Sequence, residues 1–280
     1  MPYVISGGVD GAVRVWNLAS GQRYNEIPQA NEGKYEFEKK VTVLAVTDID
    51  GVLYVISGSE FGPMRVWDLT SRPPREVRLT EEQKYSANAL TVTELEGLPH
   101  VVSVERSGVV CVWDLVHRKP RGAMTLDEQS GHAIAIVKLK DEPHLVSVAV
   151  GSTRDPIIDV INLITIQHRS RKRIETEPQD LPIVDQEGTR LGIGVQAVVA
   201  ANWKTRPIVI LGYREGKILF VDLINGRPIL KLEIKASIRS LAVVSPCRVI
   251  IGTSLGLMLL EPDLDAASLA IEQSGRRADS

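Results

Sequence analysis

One pattern recurs six times along this 280-residue chain, and that self-similarity limits the possible folds more than any other feature. The copies read YVISGGVDGAVRVWNL from Tyr3, LYVISGSEFGPMRVWDL from Leu53 and PHVVSVERSGVVCVWDL from Pro99. Weaker copies follow: PHLVSVAVGSTRDPIIDVINL from Pro143, RPIVILGYREGKILFVDL from Arg206 and CRVIIGTSLGLMLLEPD from Cys247. Anchored on Trp16, Trp67, Trp113, Ile161, Val221 and a position near 259, they are spaced by 51, 46, 48, 60 and about 38 residues. A roughly fixed period of this size marks a repeat architecture, in which each unit buries its faces only against its neighbours.

Within each copy the residues have the chemistry of a strand hairpin. A β-branched run, such as Tyr54–Ile56, Val101–Val104 or Ile208–Leu211, leads to a turn holding Gly11, Gly62, Gly108, Gly216 or Gly256. Glycine there supplies the positive φ that tight hairpins need. A second apolar run then ends at the Trp position. Upstream of five copies lies another strand pattern: VTVLAVTDI from Val41, ALTVTEL from Ala89, AIAIVKL from Ala133, VQAVVAA from Val195 and IRSLAVV from Ile238. These join the copy through Asp50-Gly51, Glu96-Gly97, Asp141-Glu142, Lys204-Thr205 and a Ser245-Pro246 corner. Downstream come polar stretches such as Arg75–Thr80, suited to an outer strand wetted on one face. The predicted unit is four antiparallel strands, and the predicted fold is an all-β propeller of about six such blades. A leucine-rich repeat would need a ladder of Leu and Asn, which the copies lack.

The pairs Trp67-Asp68 and Trp113-Asp114, with Trp16-Asn17 as a near match, resemble the dipeptide that closes the third strand in WD-repeat proteins. Gly131-His132 resembles the Gly-His that opens the same repeat. Ser6, Ser57, Ser103 and Ser147 fall at that family's strand serine, and Asp10 at its turn aspartate. The resemblance covers nearly the whole chain, is strongest through Leu115, and is closer to the divergent bacterial type of repeat than to the regular eukaryotic one. It implies a hydrogen-bonded brace of His, Ser, Asp and Trp within a blade. No single copy carries all four, since the Gly-His copy has Ile161 where the others have Trp.

Residues 1–273 are expected to form the propeller, with 274–280 a disordered tail. Tyr3 already belongs to a second strand, so the first blade is expected to lack its innermost one. Ala267–Ile271 has two competing placements. Its likeness to Arg239–Val243 would make it the missing inner strand and close the ring, whereas its spacing from the preceding anchor favours an outer strand. In the second case the ring is left incomplete, as in a fragment of a longer protein.

Composition narrows the function only by class. The 33 Lys and Arg nearly balance 35 Asp and Glu, for a net charge of −2, which argues against general nucleic-acid binding. The two cysteines, Cys111 and Cys247, lack metal-ligand spacing and read as buried, reduced thiols. Met1–Gly8 has no signal-peptide pattern, and Pro156–Ile166 is too short and interrupted to span a bilayer. The expectation is a cytoplasmic protein without membrane contact.

No catalytic, cofactor or metal constellation emerges. His100 and His144 occupy equivalent repeat positions, and no histidine has a second ligand at metal-site spacing. Gly7-Gly8 and Gly192-x-Gly194 do not sit at a strand-to-helix turn, as a phosphate cradle would. Three surface features are candidates for partner binding. The basic run His168–Arg173, with Arg169, Arg171, Lys172 and Arg173, reads as a solvated or docking loop at a blade junction about ten residues longer than the others. Trp203 lies in a hairpin turn, either as an interface anchor or folded over its own blade. The motif turns carry Phe61, Arg106, Arg154 and Arg214, which vary between copies and mark the disc face used most often for binding in the resembling family. Arg14 and Arg65, two residues before Trp, read as stems packed over an aromatic. The expected function is a non-catalytic scaffold for a protein or peptide partner. Two alternatives stand beside it: a propeller enzyme or ligand sensor using the central channel, and a propeller fragment of a larger signalling protein.

Overall fold

A computed structural model of the chain describes residues 3–27, 40–59, 61–79, 86–126, 133–150, 156–174, 195–244 and 248–264. These form 22 strands in six small antiparallel sheets, the blades of an all-β propeller. The chain divides into two compact units, Met1–His132 and Ala133–Ser280, with three sheets each.

In the first unit, sheet one holds β1 (Tyr3–Gly7), β2 (Val13–Asn17) and β3 (Arg23–Ile27). Sheet two holds β4 (Val43–Ile49), β5 (Val52–Gly58), β6 (Arg65–Asp68) and β7 (Arg75–Val77). Sheet three holds β8 (Ala89–Leu95), β9 (Leu98–Val104), β10 (Val109–Asp114) and β11 (Lys119–Thr125). In the second unit, sheet four holds β12 (Ala133–Leu139), β13 (Glu142–Val150), β14 (Pro156–Asn162) and β15 (Gln167–Arg173). Sheet five holds β16 (Val195–Trp203), β17 (Arg206–Tyr213), β18 (Lys217–Asp222) and β19 (Pro228–Glu233). Sheet six holds β20 (Ile238–Val244), β21 (Arg248–Thr253) and β22 (Gly256–Leu260). In every sheet, strands adjacent in sequence pair with each other.

Register identifies the strands of sheet one. Trp16 stands opposite Val4, as Trp67 stands opposite Val55 and Trp113 opposite Val101. Thus β1 is a second strand, and sheet one has three strands, as the sequence predicts. Residues 265–280, where both placements of Ala267–Ile271 and the predicted tail fall, lie outside the described residues.

Inner strands are aliphatic because they are buried against the neighbouring sheets of their unit. Val13, Val15, Val55, Trp67 and Leu69 form one buried cluster across sheets one and two, and Ile56, Val66, Val101, Cys111 and Trp113 form another across sheets two and three. In the second unit, Val146, Val160, Val209, Leu211 and Val221 join sheets four and five, and Ile210, Phe220, Ile238 and Ile251 join sheets five and six. Close approach depends on a glycine at one repeated position in the second strand. A Cβ on Gly58 would lie 2.9 Å from both Ala87 and Val43, and one on Gly212 would lie 2.7 Å from Ile238 of the next sheet.

The turns are set by local chemistry. The hairpin between the first two strands takes positive φ at Asp50 and Gly51, at Glu96 and Gly97, and at Lys140 and Asp141. The fourth hairpin therefore turns one residue earlier than the expected Asp141-Glu142, because Leu139 pairs with Glu142 and so places Glu142 in β13. After the Trp position, an Asp or Asn side chain caps the next hairpin. Its Oδ1 accepts backbone N–H groups two and three residues on at Asn17, Asp68, Asp114, Asn162 and Asp222. This is an Asx turn, and either residue type supplies the acceptor. Burial pushes the Asp114 carboxyl upward, but donation from His117 outweighs it and holds the group below its ordinary value. Asp68 is held low in the same way by Thr70 and Ser71, against the opposing pull of burial.

Three tryptophans brace their sheets. The indole Nε1 of Trp16 donates to Ser6 Oγ at 3.1 Å, Trp67 to Ser57 at 3.1 Å and Trp113 to Ser103 at 3.2 Å. The last two bonds are buried and the first is partly exposed. Arg14 and Arg65 differ from the expectation of stems over aromatics. Arg14 pairs with Asp10 at 2.6 Å and Glu26 at 3.0 Å, and Arg65 with Glu76 at 3.3 Å, because the outer strand presents a carboxylate beside each. Cys111 is buried, and that burial, helped by the charge of Glu105, pushes its thiol up to about 11, which leaves it unreactive at neutral pH. Cys247 lies outside the described residues.

Two outcomes are expected for stability. Ser103→Ala should cost about 1–3 kcal/mol by leaving a buried indole N–H unpaired, and Ser6→Ala should cost clearly less because water reaches Trp16; urea unfolding of both variants checks this. Asp114→Ala should cost about 0.5–2 kcal/mol, the usual scale for losing a side-chain cap. Asp114→Asn should cost less than Asp114→Ala in the same assay, since Asn17 and Asn162 already fill that role.

Candidate binding surfaces

The predicted surface residues fall in both units. Phe61, 53% exposed, and Arg106, exposed, occupy turns between second and third strands in adjacent sheets of the first unit. Arg214 is exposed at the corresponding turn in the second unit, where its carbonyl accepts Ser237 Oγ at 2.6 Å. Arg154, Gly131, His132, Gly192 and Gly194 lie outside the described residues.

The basic run is a strand and not a loop. Residues 168–173 belong to β15, the largely exposed outer strand of sheet four, and several of their side chains bond to neighbouring groups. His168 Nε2 lies 2.7 Å from Asp159 Oδ1, and Arg171 Nε lies 3.6 Å from the same oxygen. Asp159 is almost wholly buried and directly opposite Ser147. Lys172 Nζ donates to the carbonyl of Ile224 in sheet five. The run pairs as a strand because Asp159 gives its cations a buried partner across β14.

Trp203 also differs from an interface anchor. It ends β16 rather than lying in the turn, is 6% exposed, and meets Phe220 edge-on at 6.4 Å. Its ring is a core element of sheets five and six, packed with Ile208, Ile218 and Ile229.

The second unit contains a cleft of about 430 Å³ that sequence reading missed. Its walls are the first hairpin turn of sheet four (Lys138–Asp141), Arg169 and Ser170 of β15, the first hairpin turn of sheet five (Asn202–Thr205), and Ile224. Its floor is aliphatic, formed by Leu139, Val160, Pro207 and Leu223. Asn202 Nδ2 donates to the Lys138 carbonyl at 3.0 Å, which links the two turns. The cleft opens at the end of the strands opposite the turn that carries Arg214.

Arg169 is positioned by a buried histidine. His144 Nδ1 lies 2.9 Å from the Glu142 carbonyl and Nε2 lies 3.1 Å from Arg169 Nη1. A carbonyl only accepts and a guanidinium only donates, so Nδ1 carries the hydrogen and the ring is neutral. Burial is the main cause that lowers the His144 pKa below 6.5, with the Arg169 charge adding to it against the opposing pull of Glu142. His100 makes the equivalent bond to the Leu98 carbonyl at 2.8 Å in sheet three. Among the described residues no group of three or more His, Cys, Asp or Glu side chains could hold a metal ion, and no helix is long and apolar enough to cross a membrane.

Comparisons with known proteins bear on the fold. No family model matches the chain, and no curated protein matches it in sequence. The chain is similar to the solved structure of U3-55K, with a TM-score of 0.68 and 15% identity over 95% of this chain and 75% of that one. At that identity the likeness extends to the propeller fold alone.

The His144 geometry sets a sign for pH dependence. A histidine whose native pKa is lowered binds its proton more readily in the unfolded chain, so stability falls as pH drops through about 6.5 and the loss levels off below the native pKa. Denaturant midpoints measured from pH 7.5 to 5.5 should therefore decline, and the decline should be shallower in His144→Gln, which keeps a donor and an acceptor but cannot ionise.

Proposed function

We propose that this chain is a non-catalytic interaction platform of divergent WD repeats, working in the cytoplasm and presenting propeller turns to a protein or peptide partner. The observation that carries this reading is a division of labour within the repeat. The polar groups shared between copies hold strands together: serine accepts from tryptophan, and Asp or Asn caps a turn. The solvent-facing turns between second and third strands differ in length and sequence from copy to copy: residues 59–64 with the exposed Phe61, 105–108 with Arg106, and 214–216 with Arg214. A rigid scaffold with variable turns suits recognition, where binding residues sit on loops held by an invariant frame. The Trp–Ser bond and the Asp cap support the WD-repeat part of the reading, because they fall at the strand serine and the Trp-Asp dipeptide that the repeat pattern marks.

The test is affinity capture with the full chain beside a variant carrying Phe61→Ala, Arg106→Ala, Arg154→Ala and Arg214→Ala. The expected result is loss of specific partners from the variant at an unchanged melting temperature. Recovery of the same partners in the same amounts would remove this set of turns as the binding face.

A further inference from the structure

We propose that the cleft between sheets four and five binds an acidic peptide segment of a partner protein, with one bulky apolar side chain seated on the aliphatic floor and carboxylates on the basic rim. The proposal rests on the platform reading and names a second surface for it.

Comparison with the equivalent corner of the first unit carries the inference. The corner between sheets two and three is also a recess, lined by Ile49, Val66, Leu115 and their neighbours, but it measures only about 150 Å³. Register aligns the two corners. Val66 stands opposite Val77, whereas Val160 stands opposite Ser170, so a smaller outer-strand side chain helps to open the larger cleft. The resulting 430 Å³ lies within the range of roughly 300–1,000 Å³ typical of built binding sites.

Charge changes at the same positions. Ile49 and Leu139 each end a first strand, paired with Val52 and Glu142. Asp48 and Asp50 of sheet two thus correspond to Lys138 and Lys140 of sheet four. Sheet three carries Glu94 and Glu96 there, and sheet five carries Asn202 and Lys204. In a chain whose net charge is −2, the first hairpin turns are acidic in sheets two and three and basic around the cleft. Arg169 adds a fourth cation on a preset geometry, since His144 accepts one of its N–H groups and leaves the rest of its fork for an anion. Asp141 is the one carboxylate in the lining.

The floor decides between classes of anion. Leu139, Val160, Pro207 and Leu223 offer aliphatic contact and no aromatic ring for a base to stack on. Ile224, 72% exposed on the rim, extends that apolar surface outward. An apolar side chain flanked by Asp or Glu matches a greasy floor under a cationic rim, and rim charge steers association.

The test uses the full chain and fluorescein-labelled eight-residue peptides carrying one central Leu or Phe flanked by Asp and Glu, read by fluorescence anisotropy. Saturable binding is expected, weakened at least about tenfold, or ~1.4 kcal/mol, by combined Lys138→Glu and Lys140→Glu. A similar loss is expected when the peptide's apolar residue becomes Ala, and a smaller one from Ile224→Asp, an exposed site that leaves the core intact. Equal binding by the Ala peptide, or no effect of the lysine reversals, overturns the proposal, as does stoichiometric displacement of the peptide by ATP, which would mark a nucleotide site. In affinity capture, a Lys138→Glu/Lys140→Glu chain that keeps partners lost by the turn variant sinks the cleft alone. Partners kept by both variants sink the platform reading as well.

Discussion

A sheet of three or four short strands has two faces and no interior of its own, so every blade depends on a neighbouring sheet to bury its inner strands. That requirement governs the residue choices within each unit. Second and third strands are largely aliphatic, and four buried clusters of described residues each join two successive sheets of one unit. It also explains why glycine recurs late in the second strand, at Gly7, Gly58 and Gly212. Here a side chain would strike the next sheet, with Val41 Cγ1 only 2.4 Å from a Cβ on Gly7. Interdigitation at this density leaves little tolerance for added atoms.

The means of bracing each sheet changes along the chain. In sheets one to three an indole N–H reaches a serine ten residues earlier, a bond that needs a tryptophan at the end of the third strand. In sheet four Ile161 replaces that tryptophan. Ser147 keeps its place, and Asp159 stands opposite it with His168 and Arg171 drawn in from the outer strand. In sheet five the corresponding positions are Leu211 and Leu219, and the centre is wholly apolar around Ile210 and Phe220. Three solutions to one packing problem are consistent with a fold held by burial, in which the polar brace selects geometry rather than supplying most of the stability.

The blades, their strand order and the three-stranded first sheet were legible from sequence, because alternating apolar runs and turn glycines are local signals. The Trp–Ser pairing was legible too, since it repeats at fixed spacing. What escaped was set by cross-strand register. The Lys140-Asp141 turn depends on Leu139 pairing with Glu142, a one-residue choice that composition does not reveal. The basic run 168–173 looked like a loop because six polar residues carry no apolar period, yet it pairs along β14 through a buried Asp159 nine residues earlier. The sequence leaves Trp203 between an interface anchor and a ring folded over its own blade, because it borders a polar turn; the last residue of a strand can point inward, and Phe220 of the same sheet receives it. The cleft had no sequence signal, since the two hairpin turns that wall it lie more than sixty residues apart.

Internal repetition does offer one way to find such a site. Once strands are aligned by pairing, each sheet serves as the control for the others, and a position that departs from its counterparts without a packing reason marks a local demand. The turn itself does not fix the charge of its residues, since Asp50, Glu96 and Lys140 adopt similar positive φ with different charges. The reversal from Asp48 and Asp50 to Lys138 and Lys140 therefore keeps the hairpin and alters the electrostatics of one corner. At that same corner the outer-strand valine of sheet two is replaced by a serine. Volume and charge change together at one place, which packing alone does not require and which suits recognition of an anion.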